Sequence, residues 1–82
     1  MSDARGYSYT LVKAVNAADP KLLGVRLGKV CIERNIPATK VATDVGVTKQ
    51  TVYSWFTGTF KPRGVHVETL EKILAELEEA RV

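Results

Sequence analysis

The chain has 82 residues, with 12 Lys and Arg against 9 Asp and Glu and a formal net charge of +3 at pH 7. That length holds one small domain with a single core and excludes two. No apolar run approaches the roughly 20 residues of a bilayer span, and the opening MSDARGYSYT lacks the apolar centre of a signal peptide, so a soluble, cytoplasmic protein with no membrane partner is expected.

Residues 1–7 are polar and aperiodic and are expected to form a disordered tail ahead of a single domain over 8–82. Ser8 or Thr10 caps a short helix that runs to about Ala17, with Leu11, Val15 and Ala18 at helical spacing. Asp19 followed by Pro20 marks a restart, because aspartate caps and proline is tolerated at the first helical position. The next helix reaches about Arg34 on a stripe of Leu23, Leu27, Val30 and Cys31, and Asn35 ends it. Cys31 is the sole cysteine, so it has no internal disulfide partner and reads as a reduced core thiol.

The stretch Ala38 to Phe56, ATKVATDVGVTKQTVYSWF, is spaced as two short helices crossing at a tight turn require. Ala42 is the small residue at the crossing. Gly46 sits where the first helix must stop, since glycine enters the left-handed region without a Cβ penalty. Val41, Val45, Val47, Val52 and Trp55 fall on inward faces. Thr48 is the natural N-cap of the second helix, spanning about Thr48 to Thr57. Lys49, Gln50, Thr51, Tyr53 and Ser54 are left on or near its outer side, a set able to reach base edges in a major groove.

Gly58 ends that helix, and the connection Thr59 to His66 carries Lys61, Pro62 and Arg63. Proline stiffens a turn between two cations, which lowers the entropy lost in placing them on phosphates. The last helix runs from about Val67 to Ala80, with Val67, Leu70, Ile73, Leu74 and Leu77 inside and glutamates outside. Residues after Val67 hold Glu68, Glu71, Glu76, Glu78 and Glu79 against only Lys72 and Arg81. Lys29, Arg34, Lys40, Lys49, Lys61 and Arg63 surround the motif, so a polyanion is attracted to one side and repelled by the other.

From about Leu23 to Leu77 the chain resembles the helix-turn-helix of the phage repressor and Cro family. The resemblance is carried by Ala42, Gly46, Val52 and Trp55, then WFTG (Trp55 to Gly58), KPR (Lys61 to Arg63) and TLEKIL (Thr69 to Leu74). It implies an all-α domain whose second motif helix lies in the DNA major groove while the following loop touches phosphates. With the extra N-terminal helix, a bundle of about five short helices is expected. Two departures stand out. Pro37 and Ala38 replace the usual Ser or Thr cap followed by Gln, which contacts phosphate in the family, and the chain ends where relatives commonly continue into a dimerisation helix.

Base contacts are therefore expected from Thr48, Lys49, Gln50, Thr51, Tyr53 and Ser54, with Lys49 and Gln50 foremost, and phosphate contacts from Lys40, Lys61 and Arg63. Tyr53 either serves DNA directly or covers the core edge as a half-buried ring. Trp55 is core, while Phe56 and Phe60 wedge the loop against the body. Gly24 and Gly28, at i, i+4, each cost roughly 1 kcal/mol relative to alanine. The neighbour expected to need them is the N-terminal helix, backbone to backbone; a DNA phosphate, a second subunit and a merely tolerated pair are the alternatives. His66 has no second imidazole or cysteine pair beside it, and no phosphate loop or paired acids suggest catalysis. No metal, no cofactor and no enzyme activity is expected. The expected function is sequence-specific regulation of transcription on double-stranded DNA, as a homodimer on a pseudo-palindrome or in contact with RNA polymerase. Its rival is a module that binds and inhibits or redirects a host protein.

Overall fold

Local sequence signals resolve into five helices in the computed structural model, which describes residues 7–79. They are α1 (Tyr9–Ala17), α2 (Leu23–Glu33), α3 (Ala38–Val45), α4 (Lys49–Phe56) and α5 (Gly64–Glu79). No strand occurs among the described residues, and the fold is an all-α bundle. Ser8 opens α1, its Oγ accepting from the Leu11 N–H at 3.1 Å. Thr48 opens α4 in the same way, accepting from the Thr51 N–H at 3.2 Å.

One device ends α2, α3 and α4. A residue turns left-handed, Asn35 at φ 58°, Gly46 at φ 88° and Gly58 at φ 75°. The next N–H then reaches back five residues: Ile36 to the Cys31 carbonyl at 2.8 Å, Val47 to Ala42 at 3.0 Å and Thr59 to Ser54 at 2.9 Å. Each return satisfies a carbonyl that the helix end would leave unpaired. The tight stops let α2, α3 and α4 fold back on one another around a shared core.

That core is built on Val15, Val25, Leu27, Cys31, Val41, Val52, Phe56 and Leu70, all fully buried. Helix α2 is its axis and meets α1, α4 and α5. Gly24 and Gly28 permit the closest of these approaches. A Cβ on Gly24 would stand 2.5 Å from the Trp55 carbonyl oxygen, and one on Gly28 would stand 2.8 Å from Phe56 Cγ. Their neighbour is thus α4, not the N-terminal helix that the sequence suggested. At the far end Arg34 Nη1 donates to the Leu77 carbonyl at 2.7 Å, tying α2 to α5.

Four further expectations are corrected. Tyr7, counted with the tail, is 6% exposed; its hydroxyl donates to the Ile36 carbonyl at 2.5 Å and its ring lies 6.5 Å from that of Phe56. The rest of the expected tail, like Ala80, lies outside the described residues. Asp19 does cap, its Oδ1 accepting from the Lys21 N–H at 2.9 Å, but it closes only a turn. Leu22 is extended (ψ 136°), so α2 starts at Leu23. Helix α5 begins at Gly64, three residues before the expected start; its first turn points Val65 outward at 78% exposure, so the apolar pattern does not mark it. Phe56 is wholly core, whereas Phe60 is 67% exposed and wedges nothing.

Candidate nucleic-acid interface

The Thr48 cap does more than start α4. Its Oγ1 also lies 2.9 Å from Thr51 Oγ1, and Ser54 Oγ donates to the Thr51 carbonyl at 2.6 Å. The hydroxyls of the first two turns are thereby held in place, and Ser54, its proton committed to the backbone, offers lone pairs to a donor. Val52, Trp55 and Phe56 are buried on the opposite side, which fixes the rotation of the helix and keeps Thr48, Lys49 and Gln50 exposed.

Two edges of α4 differ in what they present. On one, Thr48, Gln50, Thr51 and Ser54 line a groove whose other wall is Phe60, Lys61, Arg63 and His66. This brings four of the six expected base-contacting residues together with two of the three expected phosphate contacts. On the other, Lys49 Nζ stands 5.9 Å from the centre of the Tyr53 ring. That contact restrains a flexible ammonium over an aromatic face. Tyr53 is half-buried against the core, consistent with the core-covering alternative, and its exposed remainder stays on the outer side of α4.

Lys40 is not in the groove. Its Nζ pairs with Asp44 Oδ2 at 3.2 Å, and both line a cleft with Ile73, Glu76 and Leu77 of the acidic last helix. An exposed i, i+4 pair of this kind contributes little and is easily exchanged for another partner. Arg26 similarly faces Glu78 at 3.7 Å. Lys61 and Arg63 have no such partner among the described residues and stay exposed on the loop between α4 and α5.

His66 and Phe60 are groove residues that sequence reasoning did not assign to the interface. The His66 ring lies on Trp55, 5.6 Å between centroids and tilted by 44°. Its position follows from the early start of α5, which sets it in the first helical turn beside Arg63; its backbone N–H donates to the Arg63 carbonyl at 2.8 Å. The apolar periodicity, beginning only at Val67, carried no sign of this. Cys31 is remote from the groove: it is fully buried, and burial pushes its thiol up to about 12. No group of three or more His, Cys, Asp or Glu able to hold a metal occurs among the described residues. No helix among them is long and apolar enough to cross a membrane.

No curated protein and no solved structure matches the chain. A family model does. That of the Cro/C1-type HTH DNA-binding domain matches residues 26–79, from the body of α2 to the end of α5, with α1 outside it. The matched range contains both motif helices and every residue that lines the groove, from Thr48 to His66, and the chain belongs to the Cro/C1-type HTH DNA-binding domain family.

Proposed function

We propose that this protein is a sequence-specific transcriptional regulator that inserts α4 into the major groove of double-stranded DNA. The observation that carries the reading is the groove in which Gln50, Thr51 and Ser54 face Lys61 and Arg63: base-reading groups and phosphate-binding groups share one opening. Gln50 suits adenine and Lys49 suits guanine. Tyr53 and Thr48 add contacts at the edges of the helix, and Lys40 joins the phosphate set only by giving up Asp44. One domain places few side chains on bases, so a dimer on a pseudo-palindromic operator is the expected working form. Regulation then follows from occupancy, by blocking polymerase or by touching it, as in a repressor of phage type.

The acidic outer face of α5, with Glu68, Glu71, Glu76, Glu78 and Glu79 exposed, favours a second reading in which the domain engages a host protein. A salt titration on random duplex separates the two. Phosphate binding weakens steeply with salt, whereas a protein module has little affinity for duplex at any salt. Selection of bound duplexes from a random library then tests specificity: an enriched motif supports a regulator, and an unenriched pool overturns it.

A further inference from the structure

His66 closes the groove from the α5 side, and it is the only histidine of the chain. Packing against Trp55 holds the half-buried ring against the core at the groove wall. Among the described residues its ring nitrogens have no hydrogen-bond partner, and the residue lines the groove. The charged groups that face it are Lys61 and Arg63 of the loop. Helix α4 and its cap contribute only neutral residues, Thr48, Gln50, Thr51, Ser54 and Trp55, and no carboxylate lines the opening.

Imidazole is the side chain whose ordinary charge change falls near neutral pH. An anion within about 4 to 6 Å favours its charged form. A phosphate seated on Lys61 and Arg63 comes to lie in the opening that His66 also lines. We propose that His66 takes up a proton as DNA docks, so that the clamp has two permanent cations and a third that forms on binding. The proposal rests on the DNA-binding reading above and deepens it: the same site becomes sensitive to pH.

The proton balance sets the direction. The complex holds more protons than the free domain, so affinity rises as pH falls. The gain is complete below the free-state value and is lost as pH rises through the value in the complex. Binding should therefore be several-fold tighter at pH 6 than at pH 8.

The test is calorimetric titration of the full chain with a duplex of selected sequence, near pH 7, in two buffers of different ionisation enthalpy. The expected result is uptake of a fraction of a proton per domain in the wild type and none in His66→Gln, whose affinity should stay level between pH 6 and pH 8 where the wild type's changes. His66→Lys should hold the tighter affinity at both pH values. The wild-type proton count needs no variant, so it stands even if a substitution beside Trp55 harms folding. Tight duplex binding without proton uptake, or uptake that persists in a folded His66→Gln, overturns the proposal and leaves the DNA reading intact. Failure to bind duplex at any pH overturns the reading beneath it as well.

Discussion

Gly24 and Trp55 meet through their backbones: the α carbon of one lies so close to the carbonyl of the other that the smallest side chain would stand 2.5 Å from the oxygen. A glycine-to-alanine change inside a helix ordinarily stabilises by about 1 kcal/mol. At this site the sign should reverse, because backbone cannot move aside as a flexible side chain can, and overpacking costs about 1–3 kcal/mol. Gly24→Ala should therefore lower stability in urea denaturation, and Gly28→Ala should do likewise against the fully buried Phe56. An unchanged or raised midpoint would mean that α2 and α4 separate without cost.

Gly46 is the opposite case, since nothing lies within 4 Å of the place where its Cβ would be. Its φ of 88° alone decides the outcome. Gly46→Val should cost more than about 1 kcal/mol, and Gly46→Asn distinctly less, because asparagine tolerates the left-handed region. Thermal denaturation of the pair would show equal losses if crowding, not conformation, were the cause.

Gln50→Ala and Lys49→Ala should alter which duplexes are preferred while leaving affinity for random duplex nearly unchanged. Each substitution should remove about 1–3 kcal/mol of discrimination at the base it reads. Because Gln50 lines the groove and Lys49 stands over Tyr53 on the other edge, their effects should fall at different positions of the binding site. Competition binding against single-base variants reads this directly; a parental ranking in both variants rules α4 out as the reading element.

Lys61→Ala combined with Arg63→Ala should weaken binding to all duplexes alike. For every phosphate that is no longer neutralised, the slope of log affinity against log salt flattens by about 0.9. Stability should be nearly unaffected, as both side chains are exposed. A parental salt slope would move the phosphate surface elsewhere.

Alkaline pH should unfold the domain. Burial raises the Cys31 thiol to about 12 and raises the Tyr7 hydroxyl as well, so the unfolded chain releases these protons at lower pH than the folded one. Stability contributed by the protonated thiol is complete below its ordinary value near 9 and is lost as pH rises toward 12, by about 1.4 kcal/mol for each unit crossed. Cys31→Ala should remove part of that dependence, as followed by circular dichroism between these limits. Alkylation of Cys31 at mildly alkaline pH should track global unfolding.

The parts of this domain that the sequence made legible are those whose cause is local. Thr48 as cap, Gly46 as stop and Trp55 on an inner face each depend on a few neighbouring residues, and the structure shows all three. What escaped depends on partners distant along the chain. Nothing near Gly24 announces Trp55, and nothing near Tyr7 announces the carbonyl of Ile36, 29 residues away. Val65 misled in another way: an apolar side chain turned to solvent hid the first turn of α5 and, with it, the place of His66 in the groove.

The hydrogen bond from Tyr7 to Ile36 carries a practical consequence for anyone who would trim this protein. A fragment cut to the family-matched range would begin at Arg26 and discard Tyr7, Val15, Gly24 and Val25, all buried in the whole domain. It would lay bare the Phe56 ring and leave the hinge between α2 and α3 unlatched. The smallest piece able to fold should thus reach back at least to Tyr7, and a tag fused directly ahead of that residue would press on the latch, so fusions belong at the other end of the chain.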